Sequence, residues 1–330
     1  MLRVTALTSG KYDPPSRFRI RQFIDPLKGF GIDVSEYYPW LNKYATKRLP
    51  PLGLLMRLPG LLASRSSDVT WFSRELIPGK LTAERSAGGK RILDIDDAIW
   101  LNGSGFSEEL AALCDGVIAG NNFIAGHYKA HGSRVWTIPT SVDTATWRPA
   151  PVQHAEWTIG WIGTSSNLEY LYSIEEALAD FLADYSECRL LIVCNRSPVL
   201  KKLREQSWRF VRWRPENDLQ LVQSMDVGLM PLPDTEWGRG KCALKMIQYM
   251  ATGIPTIVSP VGVNKEILDQ RHVGLGAGDT NDWYEALRTL FCDRELAIRL
   301  GKEGRNLVEE EFSIIRNAPK LATVIHEIAG

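Results

Sequence analysis

Paired cysteines, a long apolar run and a net charge are all missing from this 330-residue chain. The five cysteines, Cys114, Cys188, Cys194, Cys242 and Cys292, are odd in number, widely spaced and never in a C-x-x-C pair. That argues against a disulfide framework and against a zinc site, and it points to the reducing cytosol. No window approaches the ~20 apolar residues of a membrane span; the most hydrophobic, 49–62, is broken by Pro50, Pro51, Arg57 and Pro59. Residues 1–7 alternate like a strand, so no signal peptide is expected. Neither half opens with G-x-G-x-x-G and an acidic residue about 20 positions on, which argues against a dinucleotide dehydrogenase. A chain with 44% hydrophobic and 24% charged residues has an ordinary globular composition.

The zero net charge conceals an asymmetry. Residues 1–149 hold 19 Lys and Arg against 14 Asp and Glu, a balance of +5, whereas 150–330 hold 20 against 25, or −5. A basic half suits an anionic partner, such as a lipid-linked acceptor or a phospholipid surface. The leucines at 52, 54, 55, 58, 61 and 62, with Lys47, Arg48, Arg57 and Arg65, read either as a patch resting on a bilayer or as a core helix with a charged rim. Nothing calls for nucleic acid.

Short β-rich runs alternate with helix-length segments, and the pattern restarts after the proline-containing stretch 141–152. This predicts an α/β protein of two doubly wound, Rossmann-like domains facing a cleft, with function in the loops after strands. The expected boundaries are 1–145, 146–312 and a tail helix at 313–330 packing back on the first domain. Predicted helices include 17–28, 170–185 and 242–251.

The most informative stretch, 227–266, reads strand, glycine loop, helix, strand and second glycine loop. Lys241, Lys245 and Gln248, spaced four and three apart, are expected on one stripe of a helix otherwise apolar or small. Two lysines on such a helix call for an anion, favoured also by the helix start and the amides of Gly238 and Gly240. A diphosphate fits. Between a strand and a helix, Gly163-Thr164-Ser165 offers a second phosphate cradle.

These segments, "VGLMPL", "GKCALKMIQYMATGIPTIVSPVGVNKEI" and "GKEGRNLVEEEFS", resemble the retaining GT-B glycosyltransferases of family 4. "PPSRFRIRQF", "ILDIDDAIW", "VIAGNNFIAGHY", "VWTIPTSVD" and "IGWIGTSSNLEYL" extend the resemblance over nearly the whole chain. It implies donor-phosphate contacts at Gly163, Thr164 and Ser165, the nucleobase at Trp213 and Arg214, and further donor contacts at Gly262, Val263 and Asn264. Gln248 stands where a ribose-holding glutamate is usual. Gly240 stands where another glutamate contacts the donor sugar, so the sugar is not legible. Glu266 matches a family glutamate and is placed in a loop.

In the first half, Asp97 and its neighbour Asp96 are candidates for the acceptor hydroxyl, against structural bonds to loop amides. Ser16, Arg17, Arg19 and Arg21 are placed on the acceptor side, with Arg17 and Arg21 on one helix face. The resemblance implies no metal and no cofactor: a nucleotide-diphosphate sugar is the co-substrate, a sugar or lipid-linked molecule the acceptor, and transfer retains anomeric configuration. A GT-B epimerase and a silent nucleotide-sugar-binding module are the competing readings. The location expected is cytoplasmic, with peripheral contact at the inner membrane face.

Overall fold

The computed structural model describes residues 1–41, 48–103, 105–151 and 156–330. It contains two compact units. Met1–Asp143, Gly240–Cys242 and Phe312–Gly330 form the first; Thr144–Arg239 and Ala243–Glu311 form the second. Lys47 and Val152, from the predicted basic patch and linker, lie outside the described residues.

The first unit is built on strands β1 (Leu2–Leu7), β2 (Ile32–Tyr37), β3 (Val69–Ser73), β4 (Lys90–Ile95), β5 (Gly116–Ala119) and β6 (Val135–Thr137), all parallel in the order β2-β1-β3-β4-β5-β6. Every residue of β3 is buried, as a strand covered on both faces requires. One face packs Val4, Trp71, Ile92 and Ile118 under the helix Ile314–Ala329, which buries Ala318, Leu321, Ala322, Ile325 and Ile328 at helical spacing. The other face packs Leu7, Phe72, Leu93 and Val117 with Leu110 and Ile124.

The second unit repeats the plan with β7 (Trp157–Gly163), β8 (Cys188–Cys194), β9 (Trp208–Arg212), β10 (Val227–Met230), β11 (Thr256–Val258) and β12 (Gly274–Gly276), in the order β12-β11-β10-β7-β8-β9. In both sheets the first strand of the unit lies inside, with later strands added on either side. Such an order reversal leaves a crevice at the carboxyl ends of the strands.

Several elements differ from expectation. The helix predicted over 17–28 is a π-turn at Ser16–Ile20, a 3-10 turn at Arg21–Phe23 and a short helix at Ile24–Lys28, so Arg17 and Arg21 do not share one α-helical face. The helix over 170–185 breaks into Leu168–Tyr172 and Glu175–Asp184. Residues 263–270 form a helix, placing Glu266 on it rather than in a loop. The helix predicted from 242 starts at Leu244, because Ala243 adopts a left-handed φ of 52°. Lys241 therefore precedes the helix, and the three-residue stripe does not exist.

Candidate functional site

At the carboxyl ends of β3 and β4 the first unit gathers charge. Arg74, directly after β3, adopts a left-handed φ of 65°. A non-glycine residue held there costs on the order of 1 kcal/mol, offset by what the side chain then reaches. Its Nε donates to Asp96 Oδ1 at 2.9 Å, and its Nη2 donates to both Asp96 and Asp97. Lys241 Nζ adds a bond to Asp97 Oδ1 at 3.1 Å, with the two side chains only 18% and 17% exposed. Burial alone would push the Asp97 carboxyl up; Lys241 and Arg74 outweigh it and hold it down at about 2. An acid so strong is a poor proton acceptor, so Asp97 acts at neutral pH as a fixed negative charge.

Asn121 fixes the segment that carries Lys241. Its Oδ1 accepts from Ile124 N at 2.8 Å and caps the helix Asn122–Ala130, while its Nδ2 donates to Gly240 O and Lys241 O, both at 3.2 Å. Gly240 is required by contact: a Cβ there would stand 2.6 Å from Ala98 Cβ. Gly238 is likewise packed against Pro233 O. The two glycines thus serve close backbone approach, in place of the flexible anion-binding amides expected from the sequence. Lys241 has Asp97 as its anion, so its desolvation does not by itself call for a diphosphate.

The predicted acceptor-side residues divide. Arg19, 4% exposed, gives Nε to Asp94 Oδ1 at 2.8 Å and Nη1 to Ile138 O at 2.7 Å, which commits it to the core. Ser16 is buried and accepts from Gly10 N at 3.3 Å. Arg21 pairs with Glu36 at 2.7 Å, and Arg17 lies over the Phe18 ring at 5.0 Å. Arg57, read from sequence as part of either a bilayer patch or a charged rim, is instead buried on Thr8 O and Leu76 O. Arg74 is not legible from the sequence, since a lone arginine after a strand carries no spacing signal.

The second unit brings most predicted donor residues to the carboxyl ends of its strands. Gly163 ends β7 and Thr164 and Ser165 follow it; Trp213 and Arg214 follow β9; Gly262, Val263, Asn264 and Glu266 follow β11. The Ser165 amide donates to Asn195 Oδ1 at 2.7 Å, so Asn195, at the end of β8, closes the amide cradle expected at that position. Trp213 is partly buried with its backbone N–H donating to Cys194 O at 2.9 Å, and Arg214 is exposed.

Gly262 adopts φ +53° at the start of the helix Val263–Gln270, 2.8 Å from Arg239 O by its would-be Cβ. Beside it Asn264 is buried, its Nδ2 donating to Ser259 O at 3.2 Å while its Oδ1 has no protein partner. Within the helix Leu244–Ala251, Lys245 Nζ lies 2.9 Å from Gln248 Oε1. Gln248 is wholly buried, and its Nε2 lacks a partner. A buried donor left unmade costs about 1–3 kcal/mol. A cavity of 940 Å³ in the same unit is lined by Tyr170, Trp237, Ser259, Thr280 and Trp283, and shares no residue with the predicted donor positions.

Residues 156–293 match the family model described as "Glycosyl transferases group 1". No curated protein matches the chain. Among solved structures, sucrose-phosphate synthase from Thermosynechococcus elongatus superposes with TM-score 0.73 at 13% identity, covering 99% of both chains. HepE from Anabaena, in complex with UDP and glucose, gives 0.69 at 14% identity over 99% of this chain and 100% of its own. WaaG, a glycosyltransferase involved in lipopolysaccharide biosynthesis, gives 0.71 at 12% identity over 98% and 99%. Two six-stranded parallel sheets with flanking helices, shared across these lengths, give the chain the α/β two-domain fold of the GT-B glycosyltransferases.

Proposed function

We propose that the chain is a glycosyltransferase moving a sugar from a nucleotide-diphosphate donor to an acceptor hydroxyl, with retention and without a metal at the reacting centre. What supports the reading most is that most of the predicted donor residues fall at the carboxyl ends of β7, β9 and β11, inside the segment that matches the family model. In this proposal Lys245 and the turn Gly262–Asn264 hold the diphosphate as its charge grows, by preorganised electrostatics. The unpartnered Nε2 of Gln248 suits a ribose hydroxyl, and Trp213 suits a base. The leaving phosphate oxygen takes the proton of the attacking hydroxyl, so no protein base is needed, in keeping with the weak basicity of Asp97. Arg74 and Lys241 hold Asp97 and Asp96 for the acceptor in the first unit.

A silent nucleotide-sugar-binding module is the second reading, favoured by one observation: Lys241 is already neutralised by Asp97. Incubation with a panel of sugar nucleotides and simple sugar or lipid-linked acceptors separates the two. Acceptor-dependent release of nucleoside diphosphate supports transfer, binding without release supports the module, and neither removes both.

Contact with an anionic membrane surface belongs to the proposal as well. Among the described residues no helix is long and apolar enough to cross a membrane. On the helix Pro50–Ser64, however, Leu55, Leu58 and Leu62 are 60%, 45% and 58% exposed at helical spacing. Trp40, Arg48 and Arg65 are exposed too.

A further inference from the structure

Three side chains of the first unit, none used by the proposed transfer, converge on one point. Glu108 comes from the helix Phe106–Ala112; His127 and His131 come from the last turn and the C-cap of the helix Asn122–Ala130. A spacing of four sets the two imidazoles on one helix face, with ring centroids 4.4 Å apart. His127 Nε2 lies 2.9 Å from Glu108 Oε1, and one ligand atom from each of the three lies within 4.8 Å of the others.

The surroundings hold these groups in place. The His127 ring stacks flat on Trp100, with centroids 3.9 Å apart and planes 6° off parallel, and meets buried Tyr128 edge-on at 5.0 Å. His131 Nδ1 lies 2.8 Å from His127 O. The tautomer protonated at Nδ1 donates to that carbonyl and leaves the Nε2 lone pair to a metal, the usual arrangement for a ligating histidine. The negative end of the helix dipole favours a cation at this same terminus.

A Glu108–His127 ion pair and the His131 Nδ1 bond to His127 O hold the three residues together, and neither engages His131 Nε2. Two imidazoles and a carboxylate form the ligand set of a three-residue zinc site, completed by water. We propose that Glu108, His127 and His131 bind one Zn²⁺ or a chemically similar divalent transition ion, tying the two helices together. The cysteine spacing argues against zinc held by thiolates; the two histidines and Glu108 supply a different ligand set. Trp100 lies three positions after Asp97, so the ion would also brace the turn that follows the acidic loop.

The test uses the full chain without a histidine tag, stripped with chelator and titrated with ZnCl₂ and CoCl₂. The expected result is one equivalent bound, a tetrahedral cobalt absorption that zinc abolishes, and a higher Tm with zinc. His131→Ala and Glu108→Gln should each weaken binding about tenfold or more, since even indirect supports of a metal site are worth that much. His272→Ala, as a control, should change nothing. No stoichiometric binding, or binding undiminished in folded His131→Ala and Glu108→Gln, overturns the proposal. The titration contains no sugar nucleotide, so its outcome is independent of the transferase reading.

Discussion

Lys241 Nζ meets Asp97 Oδ1 at 3.1 Å within the first unit, although 144 positions separate the two residues in the chain. The pair is nearly buried and Arg74 shares it, so its three charges depend on one another. Removing the ammonium in Lys241→Met should cost about 1–3 kcal/mol, with the remaining Arg74 contacts limiting the loss. Arg74→Met should cost more, because it leaves Asp96 and Asp97 side by side with one lysine. Urea unfolding of the two variants checks the order; equal or negligible losses would show that the ion pairs are not formed in solution.

The same cluster predicts an acid-sensitive contribution to stability. Asp97 is held at about 2 in the folded chain, below its unfolded value of about 3.9. A depressed carboxylate contributes fully above its unfolded pKa and loses that contribution as pH falls through the folded one. About 2–3 kcal/mol should therefore disappear between roughly pH 5 and pH 2. Unfolding free energies measured across that window should fall less steeply in Asp97→Asn than in the parent chain.

Two glycines should respond oppositely to alanine. Gly262 combines φ +53° with a would-be Cβ 2.8 Å from Arg239 O, so Gly262→Ala should destabilise by about 1–3 kcal/mol. Gly126, inside the helix Asn122–Ala130, has nothing within 4 Å of its would-be Cβ. Gly126→Ala should stabilise by about 0.5–1 kcal/mol. Thermal unfolding of both variants gives the comparison.

Vesicle flotation tests the membrane contact. The parent chain should float with anionic vesicles and less so with neutral ones, and Leu55→Ser/Leu58→Ser/Leu62→Ser should stay at the bottom in both. Absence of flotation at low salt would remove the contact from the account.

The sheets were largely legible because their signal is local. Runs such as Val-Thr-Trp-Phe-Ser at 69–73 and Leu-Leu-Ile-Val at 190–193 can be little other than strands buried on both faces. β12, with the sequence Gly-Leu-Gly, carries no such signal and exists only because β11 offers an edge to pair with. The start of the helix at 244 was hidden for a different reason. Cys242 and Ala243 read as helix formers, but Cys242 is drawn into the core of the first unit and Asn121 ties down the carbonyls just before it, so tertiary contacts override local preference. Of the charged site, the two aspartates after β4 were readable as a strand end; Arg74, which organises them from 22 positions away, was not.

Binding of the donor by the second unit is the central claim, and thermal unfolding in the presence of a panel of sugar nucleotides tests it most directly. At least one nucleotide-diphosphate sugar should raise the Tm of the parent chain, with the rise lost or greatly reduced in Lys245→Ala and in Gln248→Ala. If no sugar nucleotide shifts the Tm, or if the shift is the same in both variants, the donor site is not where the account places it.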